Sequence, residues 1–63
     1  MTNTDQFKGM GKRAAQNLAE GKNLIFRLVS ANGETILGKP EDTRDDRICV
    51  VIENDKVAEA WIG

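Results

Sequence analysis

Ten consecutive residues in the middle of this 63-residue chain, Gly38 to Arg47 (GKPEDTRDDR), carry almost nothing apolar, and they stand between two stretches that alternate as strands do. A chain this short has room for one domain and one small core. Loops of such length with no structure of their own are uncommon in compact domains, and they usually serve a function or move. The segment holds the only proline, Pro40. Proline fixes its own φ and biases the residue before it, here Lys39, toward an extended form. The fold must therefore be built from the flanks, and Gly38–Arg47 reads as a recognition loop.

The flanks have clear periods. Phe7, Met10, Ala14 and Leu18 are spaced by three and four, with Ala15 and Ala19 beside them, which marks one helical face. Gly9 and Gly11 each weaken a helix by about 1 kcal/mol relative to Ala. The predicted helix is therefore Lys12 to Glu20, after a loose lead-in over Phe7 to Gly11. Thr4 or Asp5 is its candidate cap, Gly21 its candidate left-handed C′ residue, and residues 1–6 a frayed end. Asn23 to Val29 (NLIFRLV) predicts a strand with Leu24, Phe26 and Leu28 on one face and Ile25, Arg27 and Val29 on the other. Asn32-Gly33 is the strongest hairpin signal, with Glu34 to Leu37 running back as a short strand. Ile48 to Glu53 (ICVVIE), a tight turn at Asn54-Asp55 and Lys56 to Ile62 (KVAEAWI) complete the pattern. The order predicts a single α+β domain over 1–63: one N-terminal helix packed on a small mixed β-sheet with an exposed binding loop.

Composition removes whole classes of function. Nine Lys and Arg balance ten Asp and Glu, for a net charge of −1, which does not point to nucleic acid. Histidine is absent and Cys49 is the one cysteine. That removes Cys/His zinc sites, histidine-based catalytic triads and an internal disulfide. Cys49 has no base to activate it and reads as a small strand residue. Glu41, Asp42, Asp45 and Asp46 lack the spacing of a calcium loop, so no metal and no other cofactor is expected. So small a core has no spare volume for a large enclosed pocket, and a binding protein is expected rather than an enzyme. No apolar run approaches the length of a membrane span. The opening Met-Thr-Asn-Thr-Asp has neither the basic nor the apolar region of a signal peptide, so the expected location is cytoplasmic.

Several residues, in this order, resemble the potato inhibitor I family, the barley chymotrypsin-inhibitor and eglin type with its short bacterial relatives. Phe7, then Gly11-Lys12, Ala14 and Leu18, resemble the family's aromatic opening and its Gly-Lys entry to the helix. Leu24 to Val29 match the apolar strand that follows. Arg44-Asp45-Asp46-Arg47-Ile48 match the Arg-x-Asp-Arg-apolar run after the binding loop, and Val57 to Gly63 match the closing strand and terminal glycine. The resemblance covers about residues 7 to 63. It implies a protein partner, a protease, whose active site takes up Lys39, Pro40, Glu41, Asp42, Thr43 and Arg44 in substrate-like form. Counting back from Arg44, it implies a scissile bond between Glu41 and Asp42, with Glu41 in the primary specificity pocket. It implies that Arg47 rises from the sheet to support the loop. Two departures stand out. The stretch before Arg44 is several residues longer, with Asn32-Gly33 adding a hairpin, and the family's second supporting arginine is replaced by Cys49.

Other readings of the same residues stay open. Arg27, Lys39, Arg44 and Arg47 could instead contact an anionic small molecule such as a nucleotide, at an oligomer interface, since one copy is too small to enclose it. Arg44 divides evenly between a role in the loop and surface pairing with a neighbouring carboxylate. Arg27 reads first as an exposed face residue with a snorkelling stem. Trp61 reads as core packing of the last strand. Edge-strand pairing between copies is a third reading.

Overall fold

A computed structural model describes residues 4–63. One helix, α1 (Lys12–Gly21), lies on a four-stranded mixed sheet built from β1 (Ile25–Ala31), β2 (Glu34–Thr35), β3 (Arg47–Glu53) and β4 (Lys56–Ile62), in the order β2-β1-β3-β4. β1 and β3 run parallel, and β2 and β4 pair antiparallel at the two edges. Of the frayed end expected over 1–6, residues 1–3 lie outside the described residues, and 4–6 are instead part of a short turn. Thr4–Phe7 forms a 3₁₀ turn that places Phe7 fully inside the core.

The helix begins at Lys12 as its glycines predict, but its stop differs from expectation. Gly21 is the last helical residue, and Asn23, at φ 59, takes the left-handed position. The Asn23 N–H donates to the Glu20 carbonyl and the Leu24 N–H to the Ala19 carbonyl. This is the paired closure of a Schellman motif, with Leu24 and Ala19 meeting in the core behind it. Asparagine tolerates this conformation better than most side chains, so Gly21 is not needed there. The buried stripe is Ala15, Leu18 and Ala19, while Ala14 is exposed. Two alanines on the inner face let the helix lie close to the sheet.

β1 starts two residues later than predicted and runs two residues further. Its facing is set by a bulge. Leu28 pairs with Val50 and Ser30 with Val51, so Val29 is an extra residue, and Ala31 rather than Ser30 joins the core face. A second bulge at Ala58 does the same in β4. Val51 pairs with Glu59 but Ile52 with Val57, which turns Val57, Ala60 and Ile62 to the helix side. β2 stops at Thr35 instead of Leu37. The carbonyl of the bulged Val29 accepts both the Ile36 and the Gly38 N–H, at 3.0 Å each, and this pulls the chain off the strand path. Gly38 makes the turn at φ 73, where a side chain would be strained. Both two-residue hairpin turns, Asn32-Gly33 and Asn54-Asp55, have positive φ throughout, as type I′ turns require.

Candidate functional site

The sheet face turned away from α1 carries the polar machinery. Across its middle stand Arg27 of β1, Cys49 of β3 and Trp61 of β4, which are register partners in turn. One row closer to the polar segment stands Arg47, the first residue of β3. Arg47 is buried, as is Cys49 behind it. The chain between Gly38 and Asp46 is held at two places from this face, by Arg27 and Arg47, and at a third by a pair of its own residues, Arg44 and Asp46.

At its start, Arg27 donates from Nε to the Gly38 carbonyl and from Nη2 to the Leu37 carbonyl, each at 2.9 Å. At its middle, Arg47 donates from Nη2 to the Asp42 carbonyl at 3.1 Å and to Asp42 Oδ1 at 3.0 Å. The Nε of the same guanidinium donates to the Gly63 carbonyl at 2.7 Å, so Arg47 joins the segment to the end of β4. At its exit, Arg44 grips Asp46 with both arms, Nε to Oδ1 at 2.7 Å and Nη2 to Oδ2 at 2.8 Å. The Asp46 carbonyl then accepts the Ile25 N–H and starts the parallel ladder. Charge-assisted bonds of this kind are shorter and stronger than neutral ones, and a two-armed grip adds direction.

The charges respond to these bonds. The Arg47 hydrogen bond, helped by the residue's own backbone N–H, holds the Asp42 carboxyl below the ordinary aspartate value. Asp46 is lowered in the same way by Arg44, whose own pKa is raised by the pair. The Arg47–Asp42 pair is unequal. The side chain of Arg47 is 9% exposed and that of Asp42 is 65% exposed. A guanidinium rooted in the sheet thus fixes a residue that faces water.

Among the residues singled out from the sequence, Lys39, Glu41, Asp42, Thr43 and Arg44 are exposed and Pro40 is half-buried. Arg47 reaches the segment at Asp42. Arg27 differs from expectation: its guanidinium is spent on two main-chain carbonyls rather than left in solvent. The signal was present in the sequence as an arginine in the middle of an apolar strand, but its target became visible only with the register. Trp61 also differs. It is half-buried on the face away from α1, and a Cβ on Gly63 would lie 3.2 Å from its Cδ1. Cys49 is buried with Sγ 3.6 Å from the Gly63 carbonyl.

Of the four cations considered for an anionic ligand, Arg27, Arg44 and Arg47 are each already bonded within the chain. An anion there would have to exchange for those bonds. Among the described residues, no three Cys, Asp or Glu side chains gather as a metal site would require, and no helix is long and apolar enough to cross a membrane. A groove of about 420 Å³ lies on the helix side, floored by Leu28, Ala31, Ile36 and Ile52, and shares no residue with the braced segment. No family model, no curated protein and no solved structure matches this chain.

Proposed function

We propose that this chain is a small binding protein of the potato inhibitor I type, which offers residues 38–46 in extended form to the active site of a partner protease. The observation that carries the reading is the grip of Arg47 on Asp42. By the resemblance, the bond offered to the protease joins Glu41 to Asp42, so the grip holds the residue just beyond that bond. A segment already held in place loses little conformational freedom when it binds. If the bond is cut, the new ends stay in register, so release is slow and the bond can re-form. Exposed Glu41 would enter the primary pocket, which calls for a protease that accepts a carboxylate there. The role is binding and not catalysis, and the cytoplasm is the location proposed.

The test is an inhibition assay against a panel that includes glutamate-preferring serine proteases. Wild type should inhibit at least one member, and Glu41→Ala should weaken that inhibition by at least about tenfold, roughly 1.4 kcal/mol, with an unchanged circular dichroism spectrum. Absence of inhibition by wild type across the panel, or equal inhibition by Glu41→Ala, would rule the reading out.

A further inference from the structure

We propose that two copies of this chain pair through the second half of β4, with a two-fold axis at Trp61. The backbone groups of this edge strand point in directions fixed by its ladder with β3. The Gly63 N–H donates to the Arg47 carbonyl, which makes Arg47 and Gly63 a directly bonded antiparallel pair. By alternation, Trp61 with Cys49 and Glu59 with Val51 are the next bonded pairs, so the N–H and C=O of Ala60 and Ile62 point away from the sheet. The bulge at Ala58 turns Val57 outward as well. There the edge is already closed: the Gly9 N–H donates to the Val57 carbonyl at 2.9 Å, and the Val57 N–H donates to the Met10 carbonyl at 2.7 Å.

Among the described residues, the edge is therefore closed by main-chain bonds at one end and free of them at the other. Proteins protect exposed edges with bulges, charges, prolines or covering chain. β4 has a bulge at Ala58 and main-chain cover at Val57, and among the described residues no main-chain hydrogen bond closes the outward groups of Ala60 and Ile62. That stretch complements itself. In an antiparallel pair centred on Trp61, Ala60 of one copy faces Ile62 of the other, and each pair exchanges both of its hydrogen bonds. Trp61 meets its counterpart as a non-bonded pair, the arrangement in which cross-strand side chains come closest and aromatic pairs contribute most. Glu59 would face Gly63, so no two charged side chains oppose each other. The paired stretch stops short of Val57, and the Gly9–Met10 cover stays in place. Both helices lie on one side of the joined sheet and both tryptophans on the other. The occupant of this edge is thus a second copy of the chain, whether or not a protease binds elsewhere.

The experiment is sedimentation velocity on the full chain together with amide exchange. The range is about 10 µM to about 1 mM, where a contact this small should dissociate. Wild type should shift from monomer toward dimer, and the Ala60 and Ile62 amides should exchange at least about tenfold more slowly at the top of the range. Trp61→Lys sets two cations across the axis. Ala60→Pro removes an outward N–H that the β3 ladder does not use. Each should stay monomeric with a wild-type circular dichroism spectrum. A wild type that remains monomeric with no change in the two amides would overturn the proposal, as would a dimer that survives both substitutions. The amide measurement needs no variant, so the proposal stays testable if either variant fails to fold.

Discussion

Arg27 and Cys49 are direct partners in the parallel ladder between β1 and β3. The resemblance to potato inhibitor I expects a second supporting arginine at position 49, and the side chain there is small and buried. The guanidinium beside it belongs to Arg27 of the adjacent strand. It reaches the Leu37 and Gly38 carbonyls, where the chain leaves the β1–β2 hairpin. Arg27 and the chain that follows the β1–β2 hairpin are thus two parts of one arrangement, because that chain puts the Leu37 and Gly38 carbonyls where Arg27 can hold them.

Removing Arg27 should therefore loosen the segment more than it unsettles the core. Arg27→Met keeps much of the apolar stem and frees both carbonyls. The expected loss is about 1–3 kcal/mol in global stability, the scale of hydrogen bonds from a charged donor. Limited proteolysis should detect faster nicking within 38–46. A variant cut no faster there than wild type would show that Arg27 does not hold the segment.

Arg47 is rooted in the sheet and bonded to both Asp42 and Gly63. Arg47→Ala should cost about 2–4 kcal/mol, since it empties a buried site and leaves the Gly63 carbonyl only the weak Cys49 thiol donor. Urea denaturation gives the value. Arg47→Lys should recover only part of it, because one ammonium nitrogen cannot replace both Nε at Gly63 and Nη2 at Asp42.

The lowered carboxyls of Asp42 and Asp46 set the sign of an acid response. Their folded values lie below an unfolded value of about 3.9. Their contribution is complete above that value and is lost as pH falls through the folded values, when the carboxylates take up protons and release Arg47 and Arg44. Carbon-detected NMR titration should give both midpoints below the ordinary aspartate value. Asp42→Asn should remove the part of the acid response at Arg47 and leave the bond to the Asp42 carbonyl. Midpoints at or above the ordinary value for both residues would contradict the geometry.

Gly38 and Asn23 test the backbone. A Cβ at position 38 would have room, with the nearest atom, Thr35 Cγ2, 3.7 Å away. Gly38→Ala nevertheless forces a side chain into positive φ and should cost about 1 kcal/mol or more. Asn23→Gly should be neutral or slightly stabilising, and Asn23→Ala should destabilise by about 1 kcal/mol. Thermal melts of the three variants check the ranking. A neutral Asn23→Ala would mean that the helix does not end as described.

Local rules, read along the chain, determined much of this protein. Periods of 3.6 and 2 placed the helix and the strands, glycines placed the helix start, and Asn32-Gly33 and Asn54-Asp55 placed the turns, because each depends only on neighbouring residues. The same pattern isolated Gly38–Arg47 as the segment without an apolar anchor, while Arg47 as its support was an expectation from the family resemblance alone. What depended on distant partners was decided by the tertiary structure. The bulges at Val29 and Ala58 answer to the pairing of β3 with its two neighbours, and each exchanges the inner and outer faces of the strand beyond it. The helix closes at Asn23 because Leu24 has a core to enter. Arg27 holds Leu37 and Gly38 because the Val29 carbonyl first bends the chain back toward it. A side chain's target across a sheet is a matter of register, and register is settled only when the whole sheet packs.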